Sequence, residues 1–144
     1  MIWFKNYTIK DLEAFLQSKG IVQLLNIKII NIAPDSLQAS MPVDERTWQV
    51  DGIMHGGSTC VLVESVGSFA SRMCLDPEIQ YSVGSFITVN HIRPIRGGVV
   101  IATCKPVHLG RQKHVWDIMV HNAADQKLIA KGELTCSVQN GKLS

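Results

Sequence analysis

The segment Met54-His55-Gly56-Gly57-Ser58-Thr59-Cys60-Val61-Leu62-Val63-Glu64-Ser65-Val66-Gly67-Ser68-Phe69-Ala70-Ser71-Arg72 opens on two glycines, passes through small hydroxyl residues and turns apolar. Between Gly57 and Arg72 its one charge is Glu64. A helix that is apolar round most of its circumference belongs inside a protein. A carboxylate in the middle of such a helix is costly unless it is paired or has a chemical task. The spacing predicts one long buried helix over residues 56–73, and the rest of the chain is read as what surrounds it.

With 144 residues, 46% of them apolar and 18% charged, the chain is an ordinary globular sequence, most simply a single domain over residues 1–144. The net charge of +2 is small and its cations are scattered, which argues against nucleic acid as a partner. The four cysteines (Cys60, Cys74, Cys104, Cys136) form no Cys-x-x-Cys pair and the histidines are dispersed, so no metal site is expected. No signal peptide is read at the start, because Lys5, Lys10, Asp11 and Glu13 interrupt any early apolar run. No stretch approaches the roughly 18 to 20 apolar residues of a membrane span. These features predict a cytoplasmic protein with no membrane partner.

Ahead of the opening segment, Thr8-Ile9-Lys10-Asp11 reads as a helix N-cap with an acidic residue three positions on, and the helix is expected to run to about Ser18 with Gly20 closing it. Ile27–Ile32 and Leu37–Val43 flank Ala33-Pro34-Asp35-Ser36, which is turn chemistry and predicts a β-hairpin. Residues Glu45–Asp51 read as a loop. After the long helix, ended by Asp76-Pro77, four β-rich segments follow: Tyr81–His91, Val99–His108, Lys113–Asn122 and Lys127–Val138. Short connections between long strands predict an antiparallel sheet, read here as a meander. Such a sheet wrapped around one central helix is the α+β arrangement called a hotdog fold.

The residues Met41-Pro42-Val43-Asp44, Gln49, His55-Gly56-Gly57, Glu64, Asn90-His91-Ile92-Arg93-Pro94 and His108-Leu109-Gly110-Arg111 carry a family likeness. Across nearly its whole length the chain resembles the hotdog-fold acyl-CoA thioesterases of the phenylacetate-pathway type. Within them it is most similar to the branch acting on 1,4-dihydroxy-2-naphthoyl-CoA and 4-hydroxybenzoyl-CoA. The resemblance implies hydrolysis of an aromatic or bulky acyl-CoA, with menaquinone biosynthesis as one setting. It implies no separate cofactor, since CoA is part of the substrate, and it implies homotetramers built from dimers. The chain departs from the pattern at Val50-Asp51 and at the bulky Trp48, which bear on the acyl group accepted.

Several roles follow for single residues. Glu64 is either the nucleophile toward a thioester carbonyl or the general base for water, against the alternative of a structural ion pair. Val61, Val63 and Val66 are expected to desolvate it. The N–H groups that open a helix lack internal partners, so Gly56, and Gly57 beside it, would polarise the carbonyl and stabilise the oxyanion. Ser68 lies one turn from Glu64 and either bonds it or merely permits close packing. By resemblance, Gln49 and His55 orient the thioester, with loop bonding and helix capping as their alternatives. Also by resemblance, Gly84, His91, Ile92, Arg93, Pro94, His108, Leu109, Gly110, Arg111, Gln112 and Lys113 contact substrate and CoA. The basic members are read as coming from adjoining strand ends, where they would hold phosphates. Cys60 lacks a histidine placed to activate it and is read as a core residue.

One length constrains the assembly. Eight residues of helix set Gly56 and Glu64 ~12 Å apart. One thioester carbon cannot reach both in one subunit, so the site is expected to be shared across a two-fold axis. Two other functions fit the fold: an acyl-thioester dehydratase or hydratase, and a non-catalytic acyl-CoA binding protein.

Overall fold

The long helix forms as expected: in a computed structural model, which describes residues 1–16 and 20–143, it spans Gly56–Met73 without interruption. In chain order the elements are α1 (Ile9–Leu16), α2 (Ile21–Leu24), β1 (Lys28–Ile32), β2 (Leu37–Val43), α3 (Gly56–Met73), β3 (Gln80–His91), β4 (Gly98–Leu109), β5 (Lys113–Asn122) and β6 (Leu128–Asn140). Among the described residues no helix is long and apolar enough to cross a membrane.

Local chemistry accounts for the early elements. The Thr8 hydroxyl and N–H both donate to Asp11 Oδ2 (2.7 and 2.8 Å), and the Asp11 N–H returns a bond to Thr8 Oγ1. This closes the capping box that starts α1. These bonds also hold the Asp11 carboxyl below its usual range. The expected end of α1 near Ser18 lies outside the described residues. The short α2 was not expected. β1 and β2 form the hairpin, with the Ala33 N–H donating to Ser36 O at the turn (2.9 Å). Along β2, Leu37, Ala39, Met41 and Val43 are buried and alternate with half-buried residues, the period of a strand with one face on the core.

The six strands form one antiparallel sheet in the order β1-β2-β4-β5-β6-β3. The hotdog expectation holds, with one difference from a consecutive meander. Of the four strands after α3, β4, β5 and β6 follow one another, while β3 crosses to the far edge and pairs with β6. The connection from β2 through α3 leaves β4 free to pair with β2, and β3 takes the other edge.

α3 packs on the concave face through Leu62, Val63, Val66 and Ala70, none of them exposed. Burying a side chain of this size is worth about 1.5–3 kcal/mol for Leu or Val. Two glycines let helix and sheet approach. A Cβ at Gly67 would stand 2.6 Å from Leu134 Cδ2, and one at Gly132 would stand 2.7 Å from Val63 Cγ1. At the far end of α3, buried Ser71 accepts from Trp116 Nε1 (2.7 Å) and meets His114 Nδ1 at 3.2 Å. Trp3 stacks on Trp116 with ring centroids 6.4 Å apart.

Two consequences can be measured. Gly67→Ala overpacks the Leu134 contact and is expected to lower stability by about 1–3 kcal/mol in thermal denaturation. Burial, then the nearby His108, depresses the His114 pKa below 6.5. The unfolded chain therefore binds the extra proton first, so stability is fully present above about pH 6.5 and declines as the pH falls through that value toward the folded pKa. His114→Gln should flatten this part of a pH–stability profile.

Candidate active site

Two groups of candidate residues assemble at different points along α3. The first surrounds its N-terminus. His55 is the N-cap, and its Nδ1 accepts the Gly57 N–H at 2.7 Å. Nδ1 is then the unprotonated ring nitrogen, and the capping role of His55 is established. The same bond occupies the Gly57 N–H, so that group is not open to a substrate. The Gly56 N–H meets no acceptor among the described residues. It points the positive end of the helix at a cavity of about 310 Å³.

That cavity is lined by Gln49, Gly56, His91, Ile92, Arg93 and Pro94 from the expected set, together with Ile53, Met54, Thr59, Ile95 and Ile129. Gly56 and His91 touch closely enough that a Cβ on Gly56 would lie 2.8 Å from His91 Nε2. A side chain at position 56 would push the His91 ring from its place in the cavity wall. The Gln49 amide is engaged at both ends by Asp51: its Nε2 donates to Asp51 Oδ2 (3.3 Å) and its Oε1 accepts the Asp51 N–H. Trp48 donates its indole N–H to Arg96 O (2.8 Å), which pins the same loop to the segment after β3. Arg93 donates to Leu128 O (2.9 Å). Sequence reasoning missed Ile95 and Ile129, because nothing local marks a strand-end residue as a wall of a distant cavity. Thr59 was one helical turn from Gly56 and could have been found by that spacing.

The second group stands two turns further on. Glu64 is half-buried rather than enclosed, a departure from the expected desolvation by three valines. The reason is angular: Val63 and Val66 are fully buried, while Glu64 and Ser68 lie at the margin of the packed face, where the sheet ends in β3. The Ser68 hydroxyl donates to Glu64 Oε1 at 3.2 Å. Among the described residues no cation pairs with Glu64, so the structural ion pair finds no support. The carboxylate rests against Gly84 of β3.

The third group corrects an expectation. His108, Gly110, Arg111, Gln112 and Lys113 line a separate cavity of about 640 Å³ with Gln80 and Asn140. Leu109 ends β4 opposite His114. His91 pairs with Ala130 at one end of β6, whereas Lys113 pairs with Ser137 toward the other. About 23 Å of strand separates them. The two basic segments thus sit at opposite ends of the sheet, not at adjoining ones, since antiparallel neighbours place consecutive turns at alternate ends.

The Thioesterase superfamily model matches residues 51–129, the span that carries Gly56, Glu64 and His91. The chain belongs to the thioesterase superfamily. It is 42% identical over 137 residues to the 1,4-dihydroxy-2-naphthoyl-CoA hydrolase of Escherichia coli, covering 95% of this chain and 94% of that one. It is 38% identical over 123 residues to the proofreading thioesterase EntH of Cronobacter turicensis, covering 85% and 88%. A crystal structure of a Pseudomonas aeruginosa thioesterase carrying a Q49A substitution superposes with a TM-score of 0.94, at 40% identity over 97% of this chain and 99% of that one.

Burial pushes the Cys60 thiol above its usual pKa, which keeps it protonated and a poor nucleophile. Cys60→Ala should therefore retain full thioester turnover in a thiol-release assay, and a large loss would move the chemistry away from Glu64.

Proposed function

We propose that this thioesterase hydrolyses an aromatic or otherwise bulky acyl-CoA to the free acid and CoA, at sites shared between two subunits. The observation that carries this reading is a pair of groups on one helix: the Gly56 N–H at its start, without an acceptor among the described residues, and the Glu64 carboxylate ~12 Å along it, without a paired cation among them. β3 lies beside both, with His91 against Gly56 and Gly84 against Glu64. It is also the outer strand of the sheet, twelve residues long, with Val83 and Phe86 exposed at 43% and 62%. Long uncovered apolar edges invite pairing.

Pair two copies of β3 antiparallel about Ile87 and Thr88, and Gly84 of one falls opposite His91 of the other. Glu64 of one subunit then faces the Gly56 N–H of its partner. The same operation brings the Arg93 end of one sheet to the Arg111 and Lys113 end of the next, uniting the basic segments that one chain holds apart. Charge-assisted bonds from these groups suit the phosphates of CoA.

In this arrangement the thioester oxygen accepts from the Gly56 N–H, and Gln49 and His91 border the thioester. Glu64 then acts in one of two ways. It attacks the carbonyl carbon, expelling the CoA thiolate and leaving a mixed anhydride for water to cleave, or it takes a proton from a water that attacks instead. Two such dimers would make a tetramer, working in the cytoplasm. Likeness to the E. coli hydrolase favours 1,4-dihydroxy-2-naphthoyl-CoA as substrate, and so menaquinone biosynthesis. Likeness to the Cronobacter enzyme favours a second reading, proofreading of a wrongly acylated carrier.

A panel of acyl-CoAs and acyl carrier thioesters, followed by thiol release, separates the two. Glu64→Gln and Glu64→Ala should stay folded and lose nearly all turnover, and near wild-type rates in either would end the proposal. Sharing has its own test. Gly56→Pro removes the N–H at a helix position whose backbone tolerates proline, and its ring also crowds His91, so it disables that half of the site as a unit. Co-refolded with Glu64→Ala, it should restore about one quarter of wild-type activity, since half the dimers then carry one intact site of two. Two inactive parents giving an inactive mixture would place both groups in one subunit.

A further inference from the structure

Gly84 is a glycine in a strand, where glycine weakens pairing and usually marks a close approach. Its backbone is not in the left-handed region, so conformation does not demand it. Space does. A Cβ built on Gly84 would overlap Glu64 Oε1 and lie 2.9 Å from Cδ and 3.1 Å from Oε2. Oε1 is also the oxygen that accepts the Ser68 hydroxyl. The strand is irregular here, with its register shifting between Gly84 and Phe86, and Ser85 Oγ bonds back to Thr135 O at 3.1 Å. That bond fixes the strand beside Gly84 against the sheet.

We propose that Gly84 is a positioning residue, its bare Cα the seat on which the Glu64 carboxylate rests beneath the Ser68 hydroxyl. This rests on the hydrolytic role of Glu64 and goes beyond a contact between Gly84 and CoA. A methyl group at position 84 takes the volume that Oε1 occupies. The side chain that yields is the free end of Glu64, because strand and helix are both held by backbone hydrogen bonds. The carboxylate swings away, loses Ser68 and leaves its line to the thioester, while the fold stands.

The test is a double-mutant cycle on purified protein with one acyl-CoA that the wild type hydrolyses. Gly84→Ala should keep its thermal midpoint, its oligomeric state in sedimentation and its affinity for free CoA, while kcat falls by about 10²-fold, the scale of a 1 Å misplacement. In the Glu64→Ala background the same change should cost nothing further. In the Glu64→Asp background, whose shorter side chain does not reach the new methyl, it should cost much less than in the wild type. The proposal is overturned if Gly84→Ala leaves kcat within twofold, fails to fold, dissociates the assembly, or weakens CoA binding with kcat intact. Equal losses in all backgrounds would overturn it too. High turnover in Glu64→Ala alone is a different result, one that removes the hydrolytic reading itself.

Discussion

An unbroken helix cannot bring its first turn to its third. This rigidity of α3 governs the molecule, because the N–H suited to a carbonyl and the carboxylate suited to attack it are built into the same rod. The buried stripe of Leu62, Val63, Val66 and Ala70 anchors the rod to the sheet. Glu64 and Ser68 are thereby fixed half-buried at the margin of the packed face, with Glu64 against the edge strand β3. Close approach at Gly67 and Gly132 sets the depth of the helix, and with it the height of Glu64 above β3. Packing at the centre of the sheet thus determines geometry at its edge.

Much of this was legible in the sequence because it is local. A long apolar run broken by one acid, a capping box at Thr8 and Asp11, and Pro34-Asp35 between two apolar runs each declare themselves within a few residues. Strand order does not. That β3 leaves its sequence neighbour β4 and pairs with β6 depends on which edges remain free once α3 has crossed the sheet. The misplacement of the basic segments followed from that gap: Arg93 and Arg111 are near in sequence, and only the register of β3 on β6 shows that they lie at opposite ends. The site divides in the same way. Glu64 and Gly56 were visible as chemical types in odd places, whereas Ile95, Ile129 and the clearance over Gly84 exist only after the sheet forms.

The loop from Trp48 to Met54 carries the departures from the family pattern at Trp48 and Val50-Asp51. Asp51 holds both ends of the Gln49 amide. A Gln49 amide recruited by any ligand in the adjoining cavity would first have to leave this partner, so the exchange would enter the free energy of binding. Trp48, tied to Arg96, limits how far the loop can swing while that happens. The position of Gln49 and the mobility of the loop are therefore coupled through the same few hydrogen bonds.

Trp3 is 5% exposed, stacks on Trp116, and donates its indole N–H to Ala33 O (2.7 Å). The Phe4 N–H bonds Met73 O at the end of α3. The stack joins Trp3 to a strand more than a hundred residues further along the chain. Such distant pairings are paid for in loop closure before they return any stability. The Trp3 stack therefore cannot close before β5 is in place, so the environment of that indole reports the finished sheet rather than its parts.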